Sequence, residues 1–333
     1  MATKVFNFTT YQEPPTIVSN TEYLKFDKLN DMTIGEDDKT VKYEEKMLKK
    51  TMYNHWGQFK LLISEIMFLT YYWNPKEVPK PIVVYPGSAA GHHIYVLSQL
   101  FETVQFHLYD KHPNKKSAFD PRLIERPNIT IFDKYFEDEE IKKYKLRNDI
   151  FFISDIRNLS YGGENKDESE QVAYQDLMLQ RKWIITIRPV KAMLKLRLPW
   201  KFDQPSCSML GGVAYKQPFA PSTSTELRLV CNEEYSDENY NYKKVEEIMA
   251  YHNTVTRAAL FLNPLTLKEE PICPEYGFYN DWDSCYSTII AMDYLTKFNI
   301  PTTKNNVISF LVYLQGHTSK SNMNEIRKGK DTE

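Results

Sequence analysis

The strongest periodic signal runs from Trp56 to Trp73, where Phe59, Leu62, Ile63, Ile66 and Leu69 recur at helical spacing and Gly57 and Pro75 mark the approximate ends of a predicted helix. The next pattern differs. Ile82, Val83 and Val84 form a β-branched run suited to a strand buried on both faces. It halts at Tyr-Pro-Gly-Ser-Ala-Ala-Gly (85–91), and helical spacing then resumes through Ile94, Leu97 and Phe101. Strand, small-residue turn and helix follow in that order, with Gly87 and Gly91 leaving room for backbone to approach a ligand. Alternation of Val104, Phe106 and Leu108 predicts a second strand ending on Asp110. Asn128–Asp133 predicts a third, and Asp149–Ile153 a fourth with Asp155 just beyond it. Downstream, 162–170 reads as loop, Gln171–Gln180 as a crossover helix, Trp183–Ile187 as a core strand within a basic stretch, Cys207–Pro221 as loop, and Ser222–Val230 as a strand containing Glu226. Tyr242–Leu260, Asp283–Phe298 and Thr303–Leu314 read as helices. Residues 1 to about 40 lack a clear period and suggest an extended arm, and the chain from Ser321 is a polar, charged tail.

In an open α/β sheet, ligands bind in the crevice beyond the carboxyl ends of the strands. Asp110 falls about 20 residues past the glycines, where nucleotide-binding folds hold a ribose. The glycines do not spell G-x-G-x-x-G, which favours a smaller adenosine ligand over a dinucleotide; an ordinary surface turn is the plain alternative. Lys60 shares a helix face with Ile63, Ser64 and Met67, so its stem lies along packed surface; the alternative is a lysine that merely snorkels. Glu226 stands among β-formers, and a carboxylate there is either paired or functional.

At 333 residues the chain suits one large domain with elaborations. Its formal charge of -2 hides a segregation, because 181–202 carries seven basic residues (Arg181, Lys182, Arg188, Lys191, Lys195, Arg197, Lys201) and no acidic one. Trp183, Trp200 and Phe202 lie among them, a mixture suited to phosphates and splayed bases of single-stranded RNA; a solvated face is the alternative. Cys207, Cys231, Cys273 and Cys285 form no C-x-x-C pair, which suggests a reduced, intracellular compartment. No histidine pair has zinc spacing, so a metal is not expected. No apolar stretch reaches the roughly 18 residues of a membrane span and the N-terminus lacks a signal core, which predicts a soluble protein. Gly-x-Ser-x-Gly and Gly-Lys-Ser/Thr are absent, against a hydrolase or NTPase.

Lys60, Asp155, Lys195 and Glu226, in their order and settings, resemble the Lys-Asp-Lys-Glu tetrad of RNA ribose 2′-O-methyltransferases. Gly-Gln-Phe-Lys-Leu-Leu (57–62), Val-Tyr-Pro-Gly-Ser-Ala-Ala-Gly (84–91), Ile-Ser-Asp-Ile-Arg (153–157), Pro-Val-Lys-Ala-Met-Leu-Lys (189–195) and Pro-Phe-Ala-Pro-Ser-Thr-Ser-Thr-Glu-Leu-Arg-Leu (218–229) are similar, in order, to one family. That family is the poxvirus cap-specific mRNA 2′-O-methyltransferase, also the small subunit of the viral poly(A) polymerase. The resemblance covers about 42–305 and extends to Ile-Pro-Thr-Thr (300–303). It implies a class I S-adenosylmethionine-dependent α/β fold, Rossmann-like, with a mainly parallel seven-stranded sheet flanked by helices. The implied division is an arm over 1–41, a methyltransferase domain over 42–315 and a flexible tail over 316–333.

The same resemblance implies S-adenosyl-L-methionine held by Gln58, Tyr85, Gly87, Gly91, Asp110, Phe136 and Asp155, and a methylated guanine stacked between two rings beside carboxylates. Trp200 falls at one ring position and Glu246 at one carboxylate position. The chain departs from the pattern elsewhere: Tyr43 is the nearest candidate for the second ring, with Tyr23 more distant. Thr223 replaces a tyrosine, and Asp203 is displaced by one position. The basic band would hold the transcript, a poly(A) polymerase catalytic subunit is the implied partner, and virion and host cytoplasm are the implied locations. A ribose hydroxyl is a poor nucleophile, and Lys195 is the residue chosen to activate it. Burial and Lys60 lower its pKa while Asp155 and Glu226 raise it, so proton acceptor and positioning group both stay open at this point. The rival readings are an RNA-holding processivity subunit and a nucleotide-dependent oxidoreductase; the two lysines count against the latter.

Overall fold

The computed structural model describes residues 22–48, 54–111, 118–158, 166–199 and 206–319. Nine strands lie among them: β1 Ile82–Pro86, β2 Gln105–Asp110, β3 Ile129–Asp133, β4 Ile150–Ser154, β5 Lys191–Leu196, β6 Ser206–Leu210, β7 Gly212–Tyr215, β8 Leu227–Cys231 and β9 Asp237–Asn241. Seven form one sheet in the order β3-β2-β1-β4-β5-β8-β7, and β6 pairs with β9 in a separate ribbon. β1 to β5 are parallel, and β8 runs antiparallel between β5 and β7. This is the class I methyltransferase arrangement.

The helices are α1 Lys28–Met32, α2 Glu45–Leu48, α3 Gly57–Tyr72, α4 His92–Leu100, α5 Asp138–Tyr144, α6 Lys166–Ile187, α7 Tyr242–Tyr251, α8 Trp282–Lys297 and α9 Lys304–Thr318. Strand alternation divides the core in two. Val83, Tyr85, Phe151, Ile153, Met193 and Val230 face α3, α4, α8 and α9. Val84, Phe152, Ala192, Leu194, Leu227 and Leu229 face Tyr144 of α5, Ile184 of α6 and Val245 of α7. Residues 22–41 seat against the body through α1 and bridges Leu24↔Phe261 and Thr33↔Tyr215.

Several local expectations are corrected. Trp183–Ile187 is the last turn and a half of α6, because Leu177, Gln180, Ile184 and Ile187 are buried at helical spacing, which overrides the β-branched composition of Ile184-Ile185-Thr186-Ile187. The helix ends where Arg188 turns left-handed (φ 53°) ahead of Pro189. It also begins at Lys166, within the stretch read as loop. Cys207–Pro221 is not all loop: β6 and β7 lie in it, each too short to show a pattern without its antiparallel partner. Ser222–Glu226 precede β8 and are not part of it. The α-helix from Tyr242 stops at Tyr251 and continues as a π turn, His252–Thr256.

Candidate active site

The parallel strands deliver their carboxyl ends to one edge, and alternation decides which side chains meet there. Asp155 lies two residues past Ile153, Lys195 two past Met193, and Arg228 two before Val230, so all three project from the sheet face that α3 covers. Lys195 and Arg228 are direct cross-strand neighbours. Lys60, in the first turn of α3, reaches across the same face.

The four tetrad residues meet. Lys60 Nζ donates to Glu226 Oε1 at 3.1 Å. Lys195 Nζ lies 3.1 Å from Asp155 Oδ1 and 3.3 Å from Glu226 Oε2. A fifth charge, absent from the expected set, completes the group: Arg228 Nη2 lies 2.8 Å from Asp155 Oδ1 and 3.2 Å from Glu226 Oε1, while its Nε donates to Gln217 Oε1 at 2.8 Å. The sequence signal for Arg228 is its cross-strand register with Lys195, which only the paired strands display. Three cations thus surround two carboxylates at a buried edge.

Burial disfavours every one of these charges, and neighbours decide the outcome. Burial pushes Lys60 below the ordinary lysine value, and Glu226 only partly restores it. Burial pushes Lys195 down too, but Asp155 and Glu226 outweigh it and hold the ammonium above the ordinary value, against the opposing charge of Arg228. Burial would raise Asp155, but Arg228 and Lys195 hold it low; Lys60, Lys195 and Arg228 do the same, more strongly, to Glu226.

The mount is aromatic. The rings of Trp56 and Phe219 stack at 4.3 Å, and Phe59 meets Phe219 edge-on at 5.4 Å. The Trp56 N–H donates to the Phe219 carbonyl at 3.2 Å, and the Phe219 N–H donates to Asp283 Oδ1 at 3.0 Å. Phe219 is held left-handed (φ 55°) by these contacts, in the loop that leads to Glu226.

The glycine turn borders the tetrad. Gly87 has φ 77°, and a Cβ there would lie 2.6 Å from Ile156 N and 2.7 Å from the Asp155 carbonyl carbon. Only a glycine lets this turn press against the end of β4. Gly91 caps α4 at φ 70°, with Leu123 in the place of a Cβ. Asp110 Oδ2 accepts the Ala89 N–H at 2.7 Å, fixing the carboxylate over the turn. Gly87, Asp110, Phe136, Ile156 and Trp183 line a cleft of about 780 Å³. Tyr85 is buried, and its hydroxyl donates to Glu65 Oε1 at 2.6 Å instead of facing this cleft. Gln58 Oε1 lies 2.9 Å from His93 Nδ1. Among the described residues, no three His, Cys, Asp or Glu side chains gather as a metal site requires.

Tyr43, Thr223 and Glu246 come together beside the tetrad loop. The Tyr43 hydroxyl donates to the Thr223 carbonyl at 3.2 Å, and burial with Glu45 and Glu246 nearby pushes it up to about 12. Burial, then Glu247, raises the Glu246 carboxyl. Trp200, Lys201 and Asp203 lie outside the described residues.

The basic band does not form one face. Arg181 donates to Asp237 at 2.6 Å, Lys182 to Asp138 at 2.6 Å and Arg197 to Glu170 at 3.0 Å. Lys191 begins β5, at the far end of the strand from the tetrad, 3.7 Å from Glu233, and Arg188 is exposed at the end of α6. The chain reverses between α6 and β5, so residues contiguous in sequence part to opposite edges and meet acids from other elements.

A sequence profile described as "Poly A polymerase regulatory subunit" matches residues 22–316. The chain is 30% identical over 222 residues to the cap-specific mRNA (nucleoside-2′-O-)-methyltransferase of Fowlpox virus (strain NVSL), covering 62% of this chain and 66% of that protein. It is 28% identical over 251 residues to the protein of the same name from Myxoma virus (strain Lausanne), covering 70% and 71%. The match thus spans about two thirds of the length of these relatives. Among solved structures, Streptomyces venezuelae DesVI overlaps 63% of this chain and 89% of its own at 9% identity, with a TM-score of 0.23, a likeness too slight to bear on the fold. No helix among the described residues is long and apolar enough to cross a membrane. The profile match runs through every strand among the described residues and all five clustered charges, and the chain belongs to the poly(A) polymerase regulatory subunit family.

Proposed function

We propose that the protein transfers a methyl group from S-adenosyl-L-methionine to the ribose 2′-hydroxyl of the first transcribed nucleotide of capped mRNA. The observation that carries this reading is the convergence of Lys60, Asp155, Lys195 and Glu226 at the carboxyl edge of the sheet, beside the glycine turn, in a chain similar to two named cap methyltransferases.

The residues at the turn fit an adenosine-bearing methyl donor. Gly87 leaves a cradle that a Cβ would fill, Asp110 is held over the turn at the cleft as an acceptor for a ribose diol, Phe136 lines the cleft with a buried ring, and the cleft is of small-cofactor size. S-adenosyl-L-methionine would supply a methyl group activated by a sulfonium, with a positive charge of its own. Lys195 Nζ is the group that faces the hydroxyl. As an ammonium it donates to the hydroxyl oxygen and orients it; as a neutral amine it accepts the hydroxyl proton. Burial and Arg228 favour the second state, but Asp155 and Glu226 outweigh them in favour of the first, so the resting lysine is protonated and poised against a repulsive neighbour. Lys60 and Arg228 also keep both carboxylates ionised and fixed. Tyr43, Thr223 and Glu246, with Trp200 and Asp203, are the proposed guanine site. Arg197, two residues after Lys195, is the proposed RNA contact nearest the reaction, and Lys201, Arg181, Lys182, Arg188 and Lys191 are the other proposed contacts.

The family description supports a second role, regulation of a poly(A) polymerase, which can coexist with the first. The deciding experiment measures labelled methyl transfer from S-adenosylmethionine to methylguanosine-capped, guanosine-capped and uncapped RNA, with Lys195→Ala as control. Capped-only transfer lost in Lys195→Ala is the expected result. RNA binding without transfer would leave only the regulatory role.

A further inference from the structure

Behind the tetrad, a buried chain of hydrogen bonds joins α3, α4 and β1. Gln58 and Glu65 stand two helical turns apart on one stripe of α3. His93 of α4 fits between them: its Nδ1 lies 2.9 Å from Gln58 Oε1 and its Nε2 2.9 Å from Glu65 Oε1. Glu65 Oε1 also accepts the Tyr85 hydroxyl at 2.6 Å, and Oε2 has no partner. Glu65 is 1% exposed and His93 2%, whereas Gln58 is partly open, two residues before Lys60. A buried carboxylate and imidazole are costly to keep, and neither touches the reacting groups.

Resting on the donor-site reading above, we propose that Glu65 and His93 are positioning residues that fix the carboxamide of Gln58 for the methyl donor. With its oxygen engaged by the ring, the carboxamide of Gln58 turns its NH₂ outward, toward an acceptor such as the donor's amino-acid carboxylate. Tyr85 ties the same carboxylate to the strand that ends in the glycine turn, so Gln58 and the turn share one anchor.

The test is donor binding by calorimetry, with single-turnover transfer measured alongside. His93→Phe and Glu65→Leu should each raise the dissociation constant for S-adenosylmethionine about five- to tenfold, the weight of one oriented hydrogen bond. The transfer rate at saturating donor and the affinity for RNA should change less than about twofold. Glu65→Gln, whose carbonyl oxygen can still accept from both Tyr85 and the ring N–H, should restore most of the affinity. The double variant should be no weaker than the worse single one. In the wild type, the ¹⁵N resonances of the His93 ring should shift on donor addition, a measurement that survives if the buried variants do not fold. Unchanged donor affinity in a folded His93→Phe protein, Glu65→Gln as weak as Glu65→Leu, or a silent His93 ring would overturn the relay. A wild-type protein that takes up no donor would instead refute the donor-site reading itself.

Discussion

Arg228 sits where it can set the reactivity of Lys195, and Arg228→Met is the sharpest probe of that role. Both cations lie on the same atom, Asp155 Oδ1, at 2.8 and 3.1 Å, so their nitrogens can be no more than about 5.9 Å apart. Two unit charges at that distance repel by about 3 kcal/mol at an effective dielectric of about 20, which equals about two pH units. Methionine matches the arginine stem in bulk but removes this repulsion, so Lys195 holds its proton about two units further up the pH scale. Single-turnover methyl transfer should be measured from pH 7 to 10. If neutral Lys195 accepts the hydroxyl proton, the wild-type rate climbs about tenfold per pH unit over this range, because the carboxylates hold the amine above the ordinary lysine value. The variant should give a parallel line about 100-fold lower, regaining at pH 9.5 the wild-type rate of pH 7.5. Donor affinity and thermal unfolding should be compared to separate this from damage to the fold. A pH-independent wild-type rate, with a variant loss of less than about threefold at pH 7.5, would refute the reasoning and leave Lys195 a positioning cation.

Three further outcomes are expected. Gly87→Ala should cost about 2 kcal/mol or more in denaturant unfolding and weaken donor binding, because it combines a left-handed backbone with a Cβ 2.6 Å from Ile156 N; an unperturbed midpoint would contradict the close packing of the turn against β4. His252 is buried beside Lys216 and Arg257 and held well below the ordinary histidine value, so the unfolded chain takes up its proton first. Its contribution to stability is therefore full above about pH 6.5 and falls by about 1.4 kcal/mol per unit below it; urea titrations at pH 7.5 and 5.5 should show a smaller acid loss in His252→Phe than in the wild type. Trp200→Ala and Tyr43→Ala should each weaken capped RNA more than uncapped RNA in fluorescence titrations, and equal losses would remove the proposed guanine pocket.

Much of this architecture was readable from pattern alone. Ile82–Val84, Val104–Asp110 and Asn128–Asp133 announced strands because fully or half-buried strands carry their burial in their own alternation. The edge elements did not. β6 and β7 acquire their identity from β9 and β8, partners distant in sequence, and Trp183–Ile187 is β-branched yet helical because its surroundings demand that period. The charges follow the same logic. Asp155, Lys195 and Glu226 each lie within one residue of a strand end, which a local reading can see, whereas the role of Arg228 depends on a cross-strand register with Lys195 that no single segment displays. That the basic band parts in the fold was hidden for the complementary reason, since the acids that meet it come from α5, β9 and the start of α6.

The stacked pair Trp56 and Phe219 joins the two parts of the chain that supply Lys60 and Glu226, four residues after the first ring and seven after the second. Any disturbance that shifts this pair carries both side chains in the same direction. Their 3.1 Å separation is then protected in the way that two instruments bolted to one bench stay aligned while the bench moves. Sequence drift in the surrounding shell, at Phe278 or Asp283, can accumulate as common displacement before it becomes misalignment. Natural variation near this mount should therefore be broader than the tolerance of the charges themselves would suggest.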